Sequence, residues 1–299
     1  MTPTTRAGRL LRRLASVADA AMLAVALGVF WTAVGLNAWD VYSNVTTATR
    51  MQSANLTRAF AESAVGTVRE IDQTLRYVRA MYERDGTALD LQPWADSTEP
   101  GRHLATQISI IARNGLVVMS NLRPVTERID LHERPHFRHF ADYPAGELPL
   151  DELYISVPVI GRVSNTPSIQ FVRMLTTPAG KFDGVVVLSV NPGYLVQFYR
   201  SVDIGATGRV TLTGLDGVVR AGINGAAIGS RSASPAIARA GSAAEGEFDW
   251  TDPADGVRRL TGFQRWTAPR WWSRWGCRQA RSAAASATTC GSTCWPGRC

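Results

Sequence analysis

The residues able to do chemistry gather in two stretches of this sequence, 130–140 and 151–190. Three histidines, His132, His136 and His139, stand close together in DLHERPHFRHF. Imidazoles so spaced are candidates for a metal ion or for a titration near neutral pH. Pro135 interrupts any continuous helix that would align them, and no third carboxylate is fixed by the spacing, so no metal is expected. Further on, LYISVPVIG (153–161) and SIQFVRMLT (168–176) read as strands in which alternate residues share a face. Alternation groups Tyr154 with Ser156 and Pro158, and Phe171 with Arg173. Hydroxyls and a guanidinium fork placed this way suit recognition of a small polar ligand. The same groups serve equally well in packing and structural ion pairs, and both readings stand at this point.

Turnover finds less support. The sequence has no Walker loop, no nucleophile elbow and no zinc-protease helix, and the Gly205–Gly208 turn lacks the Lys and Ser/Thr of a phosphate loop. Asp216-Gly217 and Asp255-Gly256 read as turns between strands. No catalytic residue and no cofactor are expected.

These residues need elements to hold them. Apolar side chains at Leu56, Phe60, Ala64, Val68, Ile71, Leu75, Val78 and Tyr82 keep three-and-four spacing, which predicts one long amphipathic helix ending near Asp85-Gly86. Strands follow: TQISIIAR and LVVMSN flank Asn114-Gly115, which predicts a hairpin with a type I′ turn. The two strands above and GVVVLSV (184–190) complete a first antiparallel set, and a short helix opening at Asn191-Pro192 is expected to bury Tyr194, Leu195 and Phe198. A second set repeats the order: GRVTLTG, a turn at Asp216-Gly217, VVRAG, a weak helix near 235–240, GEFDW, a turn, and VRRLTGF.

The formal charge of +7 invites a nucleic-acid reading. Between Asp40 and Gln264, however, 22 Lys plus Arg face 24 Asp plus Glu, a balance of −2, so the basic character belongs to the two ends and no nucleic-acid partner is expected. One end is the cluster Arg6, Arg9, Arg12 and Arg13. It precedes an uncharged run from Ala20 to Trp39, long enough at about 1.5 Å per residue to cross a hydrocarbon core of roughly 30 Å. The arginines orient the N-terminus to the cytoplasm. A cleaved signal peptide has a shorter apolar region of about 7–15 residues, and no small-x-small site closes this one. An uncleaved single-pass anchor is expected.

The blocks DLHERPHF, LYISVPVIGRVSNTPSIQFVRML, GKFDGVVVLSVNPGYLVQFY and DIGATGRVTLTGLDGVVRAG resemble the periplasmic double-Cache region, tandem PAS-like modules, of bacterial membrane-bound diguanylate cyclases and sensor histidine kinases. The resemblance covers roughly residues 41–264. It implies a long signalling helix, a membrane-distal module that binds a small molecule, a membrane-proximal module, a second transmembrane helix and a cytoplasmic output domain. For this chain an α+β fold is expected: an N-terminal transmembrane helix continuing into a long helix, then two PAS-like antiparallel-sheet modules, and a disordered C-terminal tail. The boundaries expected are 1–19 for a basic cytoplasmic N-terminus, 20–40 for the membrane helix, and 41–200 for the signalling helix and membrane-distal module. An incomplete membrane-proximal module occupies 201–264 and an aberrant tail 265–299. The implied function is extracytoplasmic sensing of a small molecule. The implied partners are that ligand, the bacterial inner membrane and a second copy of the chain paired through the long helix.

The resemblance also implies site residues. Arg134, His136 and Phe137 fall in the segment leading to the family's ligand pocket. A guanidinium there is a natural clamp for a carboxylate, against the alternative of an ion pair with Glu133, Asp130 or Asp151. Tyr154, Ser156 and Arg173 follow. Amino-acid-binding members carry an aspartate at the position of Ser189, so a simple carboxylate is the expected ligand here. The cyclase signature and the histidine-kinase phosphoacceptor and ATP boxes are absent from the sequence. An adhesion subunit is a third reading that needs only the fold.

After Gln264 the texture breaks. Four of nine tryptophans lie between Trp266 and Trp275, and all four cysteines, Cys277, Cys290, Cys294 and Cys299, follow at spacings that match no common zinc site. With GC-rich codons, the frame that starts at the third base of codon 265 reads Val-Asp-Gly-Ala-Ala-Val-Val-Val-Ala-Val-Gly-Leu-Ser-Pro-Gly. That is a buried-strand sequence, and a frameshift near codons 264–266 is the expectation. It would have removed a last strand, a second membrane helix and an output domain.

Overall fold

Spacing of apolar residues makes the first element. In the computed structural model, which describes residues 6–91, 105–122, 128–144, 148–162 and 165–266, helix α1 runs Arg6–Asp85 and ends in a 3-10 turn at Gly86–Ala88. The chain divides into two compact units, Met1–Gln52 and Ser53–Cys299. Within the first, Met22, Leu23, Phe30, Trp31, Leu36 and Trp39 all point outward, and the helix is long and apolar enough to cross a membrane. The Thr32 hydroxyl donates back to the Gly28 carbonyl, which satisfies it without water.

In the second unit the α1 stripe Phe60, Ala64, Val68, Ile71, Leu75 and Val78 is buried, as its spacing predicts. It packs on Ile108, Ile110, Ile169, Phe171, Val186 and Leu188. Each large side chain so buried contributes about 1.5–3 kcal/mol.

Those sheet residues belong to β1 (Ala105–Ala112), β5 (Pro167–Thr176) and β6 (Phe182–Val190). With β2 (Val117–Ser120), β3 (Tyr154–Ile155) and β4 (Val159–Ile160) they form a six-stranded sheet in the order β2-β1-β6-β5-β3, with β4 also on β5. The ladders are antiparallel. β6 comes last along the chain and sits in the middle, buried on both faces. Short helix α2 (Pro135–Ala141) lies against β3, β5 and β6. It packs Phe137 and Phe140 with Ile111, Val172, Met174, Val185 and Val187, on the face opposite α1.

Three local expectations change. The β1–β2 turn is not type I′: only Gly115 has positive φ, at 80°, and a bulge interrupts the register between Ile110 and Ile111. Asn114 instead uses its side chain, Oδ1 accepting from the Leu116 amide at 3.1 Å, and a type I turn with a bulge glycine results. Gly115 is further required because a Cβ there would fall 2.3 Å from His132 Cβ. The stretch 153–161 is two short strands rather than one. Pro158 has no N–H to give a ladder, and Ser156 Oγ accepts the Gln170 amide at 2.9 Å. After β6 come 3-10 turns at Tyr194–Val196 and Phe198–Ser201, with Tyr199 buried and Phe198 half exposed. A repeat of three residues per turn rotates Tyr199, not Phe198, inward, and its hydroxyl donates to the Phe60 carbonyl at 2.7 Å.

The second set keeps the expected order: β7 (Val210–Thr213), β8 (Val219–Ile223), α3 (Ala236–Ser242), β9 (Glu245–Thr251) and β10 (Arg258–Gln264). It stands as two separate two-stranded ribbons, β7–β8 and β9–β10. A small core of Ala236, Ala240, Phe248 and Phe263 joins α3 to the second ribbon. The cysteines and the tail from 267 onward lie outside the described residues.

Candidate functional site

A sheet face that packs a helix is normally apolar throughout, and one end of the α2 face is not. Gln107 of β1 and Gln170 of β5 both stand opposite Ser189 of β6, and Ser156 donates its amide to the Gln170 carbonyl. The four form a buried polar row across the strands. Ser189 Oγ donates to Gln170 Oε1 at 2.6 Å, Gln170 Nε2 donates to Ser168 Oγ at 2.9 Å, and Gln107 Nε2 donates to Ser120 Oγ at 3.2 Å. Buried amides and hydroxyls must be paired in this way, because an unpaired one costs about 1–3 kcal/mol.

The α2 segment supplies charge beside this row. Arg134 caps the N-terminal end of α2 and is half-buried, not deep. Its Nη2 reaches the carbonyl of Ile160 at 3.5 Å, and Ile160 pairs with Pro167, the neighbour of Ser168 at the end of the row. The alternative partners are engaged elsewhere: Asp130 with His132, Glu133 with His132 and Arg138, Asp151 with Arg76 and Arg173. Burial, then the nearby Arg162, depresses the Arg134 guanidinium. Arg162 itself donates to the Asp130 carbonyl at 2.6 Å. Two cations thus approach each other, each on a backbone carbonyl.

His136 is buried on α2, and desolvation, helped by Arg134, pushes its imidazole down to about 4. It is therefore neutral at pH 7. Phe137 is a core residue, edge-on to Phe182 with centroids 5.8 Å apart. His139 bonds buried Glu152 at 2.8 Å and stacks on Tyr154 at 4.5 Å. Among the described residues no group of three or more His, Cys, Asp or Glu is placed to hold a metal.

Arg173 stands apart from the others. It is fully buried on the α1 face with Phe171, its Nε 2.5 Å from Asp72 Oδ1 and Nη1 3.2 Å from Asp151 Oδ1. Asp72 is on α1, so this pair fastens the central sheet to the long helix. Tyr154 is at the sheet edge and also lines a cavity of about 110 Å³ with Ile155, Phe171, Leu212, Arg220 and Trp266. Burial raises its phenol. The cavity's polar wall is the Asp216–Arg220 ion pair, at 2.8 and 3.0 Å.

The structure thus brings Tyr154, Ser156, Ser189, the cap residue Arg134 and the α2 residues His136 and Phe137 to one side of the sheet and leaves Arg173 on the other. Gln107, Gln170 and Arg162 escaped the sequence reading. Polar residues at every second position of otherwise apolar strands, as in TQISIIA and SIQFV, were the signal for the first two.

No family model matches the chain, and no curated protein does. Solved structures do. The chain is similar to the extracellular domain of the putative histidine kinase rpHK1S-Z16, at 21% identity over 74% of this chain and 90% of that one, with a TM-score of 0.61. It is similar to an extracellular ligand binding receptor from Desulfohalobium retbaense DSM5692, at 17% identity and TM-score 0.53, over 70% of this chain and 37% of that one. A third is the ligand binding domain of the Pseudomonas aeruginosa PAO1 amino acid chemoreceptor PctB with L-Arg, at 13% identity and TM-score 0.52, over 70% of this chain and 85% of that one. At such identities the likeness shows the fold: a long helix followed by antiparallel sheet, as in extracellular sensor domains of kinases and chemoreceptors.

Proposed function

We propose that this chain is the extracytoplasmic sensing part of a single-pass inner-membrane signalling protein, built on the double-Cache plan, and that it binds a small carboxylate. The carrying observation is the Arg134–Arg162 pair beside the buried polar row. Two guanidiniums that repel one another and rest on backbone carbonyls gain from an anion between them, by paired charge-assisted hydrogen bonds. Gln170, Ser156 and Ser189, buried and already hydrogen-bonded, form a polar layer in the sheet behind them. Ser189 carries no charge to hold a ligand amine, which favours a simple carboxylate over an amino acid. The Arg173–Asp72 pair offers a path from the sheet to α1, which we assign to dimerisation with a second copy. The reading gives the chain binding rather than turnover.

The test is a thermal-shift screen of the full chain in detergent against carboxylates and amino acids. A simple carboxylate is expected to raise the melting temperature. Arg134→Ala is expected to weaken that ligand about 10- to 100-fold, the loss of one or two hydrogen bonds to a charge, with little change in the unliganded protein. A screen without hits, or undiminished binding by the variant, sinks the assignment.

A second reading is favoured by the compositional break after Gln264: the N-terminal fragment of a diguanylate cyclase or sensor histidine kinase whose catalytic half was lost by frameshift. Resequencing around codon 265 decides it. One displaced base opening a long frame supports it, and an unbroken short frame in the source DNA removes it.

A further inference from the structure

The cavity beside Tyr154 is built by both regions of the sheet-bearing unit. α1 contributes Val68, β5 contributes Ile169 and Phe171, the 3-10 turn after β6 contributes Leu195, and β7 contributes Leu212. Trp266, just past β10, lines another side. All six belong to one apolar cluster, so the long helix, the first sheet and the second region meet around a common space.

The polar wall of that space carries no net charge. Arg220 is buried, and its Nη1 and Nη2 both donate to the Asp216 carboxylate. Gly214 makes room for the guanidinium, since a Cβ there would fall 2.7 Å from Arg220 Cζ. Burial raises the Tyr154 phenol, while Arg220 and Asp216 act on it with opposite signs. The pair thus presents a dipole to the cavity rather than a charge. An anion would compete with Asp216 and a cation with Arg220, and either would be stripped of water against hydrocarbon walls. These walls select neutral molecules, the opposite of the anion-seeking Arg134–Arg162 pair.

Trp266 adds a demand of its own. It is 5% exposed, and its Nε1 is buried with no hydrogen-bond partner among the described residues. A buried N–H left unpaired has lost its bond to water, and an acceptor brought to it recovers that loss. A water molecule needs about two to four polar partners, which hydrocarbon walls do not supply. A ketone oxygen needs only the one donor, and its alkyl arms match the rest of the lining. An alcohol would bring a further O–H that needs an acceptor. An apolar cavity of about 150 Å³ holds benzene. At about 110 Å³ this one suits a smaller molecule, of about four to six heavy atoms.

We propose that this cavity is a second ligand site, which takes a small neutral ketone with its oxygen on the Trp266 indole N–H and its alkyl groups against Phe171, Leu195 and Leu212. The proposal stands on the cavity and on Trp266, not on the carboxylate reading. Bound there, the ketone touches β5 and β7 at once and fastens the second region to the first sheet.

The experiment titrates 2-butanone into the nitrogen-15-labelled full chain in detergent and follows the tryptophan indole N–H resonances, Trp266 being assigned by its loss in Trp266→Phe. The Trp266 proton is expected to move downfield to a saturable limit, and amide exchange in 153–157 and 210–213 to slow at least threefold at saturation. Butyrate, similar in size but charged, is expected to leave that resonance in place. Trp266→Phe keeps a ring and drops the N–H. It should weaken the ketone roughly three- to tenfold, the loss of one neutral hydrogen bond, read from the concentration needed for the same exchange protection. Val157→Phe adds volume at a part-exposed wall position and should abolish the protection. A Trp266 resonance that never shifts, an equal shift with butyrate, or protection that both variants leave intact overturns the proposal.

Discussion

The two halves of the sheet-bearing unit share an order of elements and differ in how they close. In the first, β6 lies between β1 and β5 and joins every strand into one sheet with α1 on one face and α2 on the other. In the second, β7–β8 and β9–β10 remain ribbons. An isolated two-stranded ribbon is marginal in water, so the second region leans on what surrounds it. Gly262 of β10 lies against Thr57 of α1, where a Cβ would meet the hydroxyl at 2.3 Å. Arginine–carboxylate ties hold the turns, and four apolar residues make the local core. The lesson is topological: when the last strand in sequence is the central one in space, closure depends on a single late segment.

The largest expected effect lies in the closed region. Asp72→Ala strips the main partner from fully buried Arg173 and is expected to cost about 3–5 kcal/mol in urea unfolding, while the Asp72→Leu, Arg173→Leu double variant recovers most of it. In the ribbons, Asp255→Ala removes a carboxylate that Arg259 holds well below its ordinary range. Because that pair is solvent-screened, the change should be far smaller. Equal losses would erase the distinction between the regions.

Acid should act on the first region next. His136 has a folded pKa of about 4 against 6.5 for the free imidazole. Between those values the unfolded chain binds a proton that the folded chain does not. Stability therefore falls as pH drops from about 6.5 to 4, by up to roughly 3 kcal/mol. His136→Phe should flatten that part of the stability–pH curve, and a slope unchanged by the substitution would count against a buried neutral imidazole. A smaller loss, about 1–3 kcal/mol, is expected for Gly184→Ala, since a Cβ there would fall 2.1 Å from the Ile111 carbonyl oxygen and β1 must retreat from β6. If Gly184→Ala unfolds like the parent chain, the glycine is not what permits the close approach.

Much of this was legible in sequence where one period governs. The α1 stripe follows from three-and-four spacing, and β5, β6 and the order of the second set from runs of β-branched residues between turn residues. What escaped depends on competing local chemistry or distant partners. Asn114 captures an amide with its side chain, which replaces the type I′ turn. Pro158 and the Ser156 hydroxyl split one strand into two. A 3-10 turn exchanges Phe198 for Tyr199. Alternation groups Arg173 with Phe171 correctly but says nothing of which helix they meet, since Asp72 lies 101 residues away. In the same way the row Gln107–Ser189–Gln170 exists only once three strands are in register.

The claim that the first sheet is the ligand-bearing unit has one most direct test: hydrogen exchange of the full chain in detergent, with and without the carboxylate that stabilises it best. Slowed exchange in α2, β3, β5 and β6, with β7 to β10 unchanged, is the result expected. Protection confined to β7–β10, or no protection anywhere at a saturating concentration, would contradict it.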